Sequence, residues 1–327
     1  MTANTRIDAH MHYQGDTQRS REMLEQLDLK MMNICVAEDA HGEWRDQAEI
    51  YSRLAKEYPS RFAWCTSFDL PRFDDPSYVT SAIEGLERDF LDGAIACKVW
   101  KNFGMGVRKP SGEHVLPDDE LLEPIFAFIA DRGKTLLMHI ADPLDCWLPL
   151  REGSPHYGYY SKNPEWHLYA RDDYPTHSQL MDSRDAVAAR NPNLRVVGAH
   201  LGSLEHDVNE LAARFDRYPN FAVDMSARLY DLAIQDVEKV REFFDKYQDR
   251  ILFGIDSGTW ELASAKSAEK MERTIDYISA EYRDYIAYLE NSRTVTLRGR
   301  DLPALGLPGE VLEKIYRTNA RAWYPGI

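Results

Sequence analysis

Residues 6–12 read RIDAHMH, a short apolar run that ends in two histidines. Seven further apolar runs of similar length follow along the chain. Most are nearly continuous in Val, Ile, Ala and Phe, which is typical of parallel strands buried on both faces. The eight predicted strands cover residues 6–12, 31–38, 62–69, 94–100, 135–141, 195–202, 221–227 and 251–258.

Amphipathic segments separate these runs, and their apolar residues are spaced three and four apart, which predicts helices. The predicted helices cover residues 20–29, 44–58, 78–91, 118–132, 178–190, 205–215, 234–247 and 309–323. Eight strands that each precede a helix predict an α/β fold of the (β/α)8, or TIM-barrel, type, and a chain of 327 residues suits it. A doubly wound sheet usually has fewer strands. Because no linker or internal repeat is visible, we expect a single domain over residues 1–327.

Two connections are longer than the others: residues 142–176 after the fifth strand and 259–308 after the eighth. In a barrel both lie over the catalytic face, where long ordered loops are usually functional. We expect residues 142–176 to form a lid, with a rim cover or a dimer contact as alternatives. Within 259–308 the pattern predicts a helix over 268–290 and then a polar turn. For this insertion a lid, a rim cover and the contact of a homodimer are the alternatives.

The charge balance is acidic, because 39 Lys and Arg against 54 Asp and Glu give a net charge of −15. This argues against a nucleic-acid-binding protein, whose affinity comes from clustered positive charge. The longest apolar stretch, residues 125–130, is far shorter than the roughly 20 residues of a membrane-spanning helix. The N-terminus shows no signal-peptide pattern, and Cys35, Cys65, Cys97 and Cys146 show no CxxC spacing. We expect a cytoplasmic protein with a small-molecule substrate, which could be anionic, and with neither nucleic acid nor membrane as a partner.

His10 and His12 end the first predicted strand. Residues two apart on a strand point to the same side, and two converging imidazoles are good ligands for a divalent first-row metal. An HxH pair alone is weak evidence. However, His139, His200 and Asp256 end the fifth, sixth and eighth predicted strands, and such ends converge on the catalytic face of a barrel. The set is sufficient for a catalytic metal that keeps an open position for water.

This ordered set resembles the metal centre of the amidohydrolase superfamily. The second half of the chain is similar to its amidohydrolase-related branch, which includes aminocarboxymuconate-semialdehyde decarboxylase. The similar stretches are PEWHLYARDDYP at 164–175, MDSRDAVAARNPNLRVVGAHLGS at 181–203, NFAVDMSARLYD at 220–231 and RILFGIDSG at 250–258.

The resemblance implies that His10, His12, His139 and Asp256 bind one divalent ion. We expect zinc, with manganese or another first-row metal as the alternative. His200 resembles a further ligand or the general base that handles metal-activated water, and its titration range suits proton transfer. His200 and Asp256 are therefore the expected catalytic residues.

Lys98 ends the fourth predicted strand and complicates the metal count. In some amidohydrolases a lysine at this point is carboxylated and bridges two metals, whereas in the branch that this chain resembles it is usually an ordinary ammonium. We favour one metal and an unmodified Lys98 that faces a substrate carboxylate or phosphate. The remaining interpretation is a lysine that neutralises buried carboxylates, such as Asp8 or Asp256.

Three more residues are candidates for the pocket. Trp100 could form a wall of the substrate site. Arg228 follows the seventh strand and could bind a carboxylate through two hydrogen bonds, or it could pair with Asp231 at a helix start. Asp224 could brace a metal ligand as a hydrogen-bond acceptor.

The expected activity is hydrolysis of a small amide, ester or lactone by metal-activated water, with His200 moving protons. The alternative is non-oxidative decarboxylation of an aromatic or unsaturated carboxylic acid, for which Lys98 and Arg228 supply the cations. A catalytically silent barrel that only binds a ligand is the third hypothesis. The absence of a GxSxG motif argues against a serine hydrolase.

Overall fold

The computed structural model describes residues 5–14, 17–38, 40, 42, 44–258 and 268–327. One parallel sheet forms its centre, with the strand order β8-β7-β6-β5-β4-β3-β2-β1-β9. Its strands are β1 Arg6–His12, β2 Leu29–Ile34, β3 Phe62–Thr66, β4 Ala96–Val99, β5 Thr135–Met138, β6 Arg195–Gly198, β7 Phe221–Asp224, β8 Ile251–Leu252 and β9 Ser257–Gly258.

The two ends of this sheet belong to one chain segment, residues 251–258. Its first part, β8, pairs with β7, and its last part, β9, pairs with β1. Between them, the amide of Ala9 donates to the carbonyl of Phe253 and the amide of Asp256 donates to the carbonyl of His10, both at 2.9 Å. The sheet therefore closes on itself, and β8 and β9 together are the eighth strand of the predicted (β/α)8 barrel.

Helices follow the strands around the outside of the barrel. They are Gln18–Gln26, Arg45–Glu57, Tyr78–Leu91, Glu123–Asp131, His177–Arg190, Val208–Arg217, Leu229–Ala233 and Val237–Lys246, with shorter turns at Asn102–Met105 and Ala199–Gly202. The helix predicted over 118–132 begins only at Glu123, because Pro124 occupies its first turn, where a missing N–H costs least. Strand β2 ends at Ile34 rather than at residue 38.

The alternation of side chains along β1 is interrupted by an irregularity in its pairing with β2, between Asp8 and Met11. Asp8 and Met11 both contact the hydroxyl of Tyr282 in the helix outside the barrel, at 2.7 and 4.0 Å. Residues three apart on a regular strand point to opposite faces. The irregularity therefore lets Ile7 and Ala9 face the barrel interior while the two histidines still reach its mouth.

The barrel interior is filled by one or two apolar side chains from each strand. These are Ile7, Ala9, Met32, Ile34, Ala63, Cys65, Ala96, Leu137, Val197, Ala222 and Leu252. The C-terminal helical segment, comprising Gly309–Glu313, the π-helix Lys314–Thr318 and Asn319–Trp323, adds Ala320 and the buried Tyr324. Hydrogen bonds from Asn319 to the carbonyl of Ile251 and from Thr135 to the carbonyl of Trp323 place this segment at the amino ends of the strands. The C-terminal segment therefore covers the amino ends of the strands, and the carboxyl ends of the strands are left open for a functional site.

Both predicted insertions occur at the expected places. Residues 142–176 contain the 3-10 turns Leu144–Trp147 and Pro164–Trp166 and the helical turn Tyr157–Tyr160. In the second insertion, residues 259–267 lie outside the described residues, and the predicted helix Ala268–Glu290 is confirmed. The polar turn after it is an antiparallel hairpin of β10 Thr294–Leu297 and β11 Arg300–Pro303. Its two turn residues, Arg298 and Gly299, have φ angles of 49° and 73°, as a two-residue hairpin turn requires.

None of the helices in the described ranges is both long and apolar enough to cross a membrane. The four cysteines are buried free thiols.

Candidate functional site

The carboxyl ends of the strands bring the predicted polar residues into one cluster. Among the residues that the structure describes, ligand atoms of His10, His200 and Asp256 all lie within 4.8 Å of one another. His12 joins them through its Nε2, which is 3.3 Å from Asp256 Oδ1. The ring of His139 stands edge-on to the ring of His200 at a centroid distance of 4.4 Å. The tightest group thus contains His200 in addition to two of the four residues predicted as ligands.

Asp224 and Ser226 orient two of these imidazoles. His10 Nδ1 lies 2.9 Å from Asp224 Oδ2, so its Nε2 is directed towards Asp256 Oδ1 at 3.5 Å. His200 Nδ1 lies 3.0 Å from the carbonyl oxygen of Ser226, and its Nε2 is 3.7 Å from Asp256 Oδ2. With a proton on Nδ1 of each ring, the Nε2 lone pairs converge beside Asp256, as metal ligation requires.

His200 and Asp256 have left-handed backbone conformations, with φ angles of 57° and 56°. This region is unfavourable for residues other than glycine and is found mostly where surrounding contacts enforce it. Here the amide of His200 donates to Asp224 Oδ1 at 3.0 Å, and the amide of Asp256 donates to the carbonyl of His10 at 2.9 Å. These bonds hold both residues in a conformation that brings His200 Nε2 to 3.7 Å from Asp256 Oδ2.

The electrostatics of the cluster suit a divalent cation. Burial lowers the pKa of His12 and of His139, and it lowers the pKa of His200 to about 3. The imidazoles are therefore neutral near pH 7, which metal ligation requires. Burial alone would raise the pKa of Asp256, but His10, His200 and His12 hold it well below its ordinary value, so the carboxylate is ionised.

His139 provides a test of whether these residues fit a metal. Its Nε2 is buried and has no hydrogen-bond partner among the described residues. Buried polar atoms are rarely left unpaired, because each one loses its hydration. An unpaired imidazole nitrogen next to converging Nε2 atoms and a carboxylate fits a first-row divalent ion.

Lys98 and Arg228 are buried cations beside this cluster. Lys98 is 1% exposed, and its Nζ lies 3.1 Å from His10 Nε2. Burial lowers the pKa of Lys98, whereas the charges of Asp256 and Asp224 oppose this effect. Asp8 instead accepts hydrogen bonds from Tyr282 and from the amide of His10.

Arg228 is 8% exposed and donates from Nη1 to the carbonyl of Ala227 at 2.9 Å. It makes no ion pair with Asp231, whose Oδ1 lies 2.9 Å from His156 Nε2 instead. Burial is the largest cause of the lowered pKa of His139 and of His200. The positive charge of Arg228 adds to this lowering in both residues. The structure therefore leaves the guanidinium of Arg228 available beside the cluster.

Trp100 lines a cavity of about 290 Å³ that reaches His12. The other lining residues are Gln14, Val36, Glu38 and Gln47. Gln47 is held by two hydrogen bonds to the backbone of Val36, at 2.9 and 3.3 Å. Trp100 therefore forms part of the wall of a cavity on the β1, β2 and β4 side of the cluster, and its contact with a substrate stays a prediction.

The sequence interpretation missed several polar residues that lie a few positions beyond a strand. Ser226 Oγ lies 3.2 Å from His10 Nδ1 and 2.9 Å from His200 Nδ1. Asp142, which begins the first insertion, forms a buried ion pair with Lys101 at 2.8 Å. Glu205 is 2% exposed. Their position shortly after a predicted strand could have marked them as site residues. Their partners, however, are far away in the sequence, so no local pattern showed what they contact.

Asp224→Asn should weaken metal binding roughly 10- to 100-fold, the usual loss when a group that orients a metal ligand is removed. The amide can no longer supply two acceptor oxygens to His10 Nδ1, the amide of His200 and Ser226. A metal-competition titration with a chromogenic chelator measures this. The control is Asp216→Asn, whose side chain is 61% exposed and pairs with Lys246. Unchanged affinity in Asp224→Asn would contradict the orienting role.

The chain was compared with known proteins. A sequence model of a family described as Amidohydrolase matches residues 7–326. A comparison with curated protein sequences found no match. An uncharacterised TIM-barrel protein from Bordetella bronchiseptica is similar in structure, with a TM-score of 0.59 and 15% identity over 98% of this chain and 99% of that chain.

Two similar solved structures have activities in their names. One is a 2,6-dihydroxybenzoate decarboxylase in complex with 2,6-dihydroxybenzoate, with a TM-score of 0.55 and 16% identity over 98% of this chain and 99% of that chain. The other is a dihydroxybenzoic acid decarboxylase from Polaromonas sp. JS666 with bound manganese and the inhibitor 2-nitroresorcinol. Its TM-score is 0.52, with 15% identity over 98% of this chain and 97% of that chain. At these identities the similarity shows the fold alone.

Proposed function

The chain belongs to the amidohydrolase family, and from this premise we propose that it is a metal-dependent, non-oxidative decarboxylase of an aromatic or unsaturated carboxylic acid. The observation that carries the proposal is the pair of buried cations, Lys98 and Arg228, beside the His/Asp cluster. Burying a positive charge is costly, and neither cation makes a direct ion pair with a described carboxylate, so both keep donors for an anionic substrate. A guanidinium can hold a carboxylate through two parallel hydrogen bonds.

His10, His12, His139 and Asp256, with His200 as a further donor, would hold the metal. When bound, a divalent ion supplies Lewis-acid polarisation of substrate oxygens. We propose zinc or manganese as the ion, because both suit imidazole and carboxylate donors. Manganese also appears in the name of the Polaromonas decarboxylase. We further propose a single ion and an unmodified Lys98.

The residues of the chain divide the proposed reaction between them. Arg228 and Lys98 hold the substrate carboxylate. A proton is added to the substrate carbon that bears the carboxylate. The bond between this carbon and the carboxylate then breaks, CO2 leaves, and the electron pair of the broken bond stays on the carbon skeleton. Asp256, ionised at rest, would take this proton from solvent and pass it on, since its side chain is 26% exposed against 1% for His10 and 3% for His200. His200 Nε2, 3.7 Å from Asp256 Oδ2, carries no proton of its own and is the acceptor next to Asp256 while that carboxyl is protonated.

Hydrolysis of a small amide, ester or lactone is the second candidate. The same His200–Asp256 contact favours it, because such a pair is placed to take a proton from an attacking water molecule. This reaction does not require the two buried cations, so Lys98 and Arg228 distinguish the two proposals.

The test uses the enzyme reconstituted with Zn²⁺ or Mn²⁺ after chelator treatment. Hydroxylated aromatic acids with a ¹³C-labelled carboxyl group, and a set of small amides, esters and lactones, are incubated in ¹⁸O water. We expect metal-dependent release of ¹³CO2 and no ¹⁸O in the product. Incorporation of ¹⁸O without CO2 release would assign hydrolysis instead, and activity that survives metal removal would contradict both.

A further inference from the structure

One buried ammonium group connects the first insertion to the wall of the cavity beside His12. Lys101 lies two residues beyond β4 and is 6% exposed. Its Nζ lies 4.1 Å from the ring centre of Trp166, in the first insertion, and 5.4 Å from the ring centre of Trp100, in the cavity wall. Both distances are within the roughly 6 Å over which a cation is attracted to an aromatic ring. The reactions considered above use neither Lys101 nor Trp166.

Lys101 also contacts the beginning of the first insertion. Its Nζ donates to Asp142 Oδ1 at 2.8 Å, and the two side chains are 8% and 7% exposed. The ammonium group therefore contacts the insertion where it starts, at Asp142, and where it returns, at Trp166. These two limbs are joined to each other, because Cys146 Sγ donates to the carbonyl of Trp166 at 3.0 Å and the amide of Leu168 donates to the carbonyl of Cys146 at 2.8 Å.

The middle of the first insertion is attached to a different part of the barrel. His156 Nε2 lies 2.9 Å from Asp231 Oδ1, in the short helix after β7. The carbonyl of Pro155 accepts from Arg298 of the β10–β11 hairpin at 2.9 Å. The insertion therefore has attachments after β4 and after β7, on either side of β5 and β6, whose ends carry two histidines of the cluster.

Trp100 is the residue through which these contacts reach the site. Its ring stands edge-on to the ring of His139 at a centroid distance of 6.5 Å, and it lines the cavity that reaches His12. The indole thus has the cluster on one side and the ammonium group of Lys101 on another. A side chain that is held in place before a ligand arrives loses less freedom when the ligand binds, which favours binding.

We propose that Lys101 is a positioning residue, whose ammonium group holds Trp166 of the first insertion and Trp100 of the cavity wall in one arrangement, so that the carbon skeleton of the substrate packs against the indole of Trp100. An apolar side chain could fill the space near the two indoles, but only a cation is attracted both to the rings and to Asp142. The inference rests on the proposed function in one respect, namely that the substrate is an aromatic or unsaturated acid bound beside the cluster.

The experiment measures the affinity of benzoate for the metal-loaded enzyme by calorimetry, which needs no turnover. Lys101→Met keeps the length of the side chain and removes its charge. We expect benzoate to bind about 10-fold more weakly to this variant and to Trp166→Leu, because the indole of Trp100 is no longer held in place. Neither substitution should weaken binding further in the Trp100→Leu background, because residues that act through a shared partner are not additive. Lys101→Arg should recover most of the affinity, since a guanidinium also stacks on aromatic rings and pairs with a carboxylate.

Two further variants separate positioning from stability. Lys101→Met leaves the carboxylate of Asp142 buried without its partner, so the double variant Lys101→Met/Asp142→Asn is measured beside it and should show the same loss of affinity. The matched control is Lys246→Met. Lys246 has the same kinds of partner at the surface, because it is 63% exposed, pairs with Asp216 at 3.3 Å and lies 4.7 Å from the ring centre of Tyr247. Its benzoate affinity should be that of the wild type.

The inference is overturned if the double variant binds benzoate as the wild type does, or if its loss adds to that of Trp100→Leu, as a purely structural role predicts. Failure of the wild-type enzyme to bind benzoate overturns it as well. Benzoate binding that depends on Lys101, in an enzyme that releases no CO2 from any acid tested, would contradict the proposed function alone.

Discussion

Asp256→Asn should lower kcat/KM by at least about 10³-fold and leave the purified protein with little bound metal, since the ligands set the charge and geometry of a catalytic ion. Asp256 is the one carboxylate of the described cluster and has imidazole nitrogens at 3.3, 3.5 and 3.7 Å. An asparagine removes the negative charge. It also turns an NH2 group, which cannot bind a cation, towards one of the Nε2 atoms.

Elemental analysis and steady-state kinetics in saturating Zn²⁺ or Mn²⁺ measure the two effects separately. Asp249→Asn is the matched control, because that carboxylate is 71% exposed and pairs with Lys314 at the amino end of β8. A variant that keeps its metal and loses activity would assign Asp256 to proton transfer alone. A variant that keeps both would remove Asp256 from the site.

Arg228→Ala should reduce kcat/KM for a carboxylic acid substrate by about 10²- to 10³-fold, the range measured when one partner of a buried charge pair is removed. The loss should fall mainly on KM, because Arg228 holds the same carboxylate in the ground state and in the transition state. Arg228→Lys should recover only part of it, since an ammonium cannot form two parallel hydrogen bonds. Metal content should remain at the wild-type level.

Kinetics on the acid that releases CO2 fastest, together with metal analysis, provide the measurement. Arg190→Ala is the control, because Arg190 is 52% exposed and pairs with Asp118 away from the site. If Arg228→Ala leaves KM unchanged for the acid, the guanidinium does not bind the carboxylate. Full activity of the same variant on an ester or lactone would favour the hydrolytic candidate.

The fold followed from local patterns because strands and helices depend mainly on nearby residues. The helix Tyr78–Leu91 was predicted with its observed bounds, as was Ala268–Glu290. Boundaries were wrong where a local exception decided them, as with Pro124 in the first turn of its helix. The hairpin β10–β11 was missed although Arg298-Gly299, a two-residue turn between short strands, was visible.

The sequence by itself determined the order of the strands and the polar residues that end them, since a strand end is a local feature and the parallel barrel places all such ends on one face. Only the tertiary structure decided which of them meet. The ring contact of His139 with His200 and the pairing of Asp231 with His156 in place of Arg228 join segments far apart in the chain. Closure of the barrel sets these distances, and no local pattern encodes them.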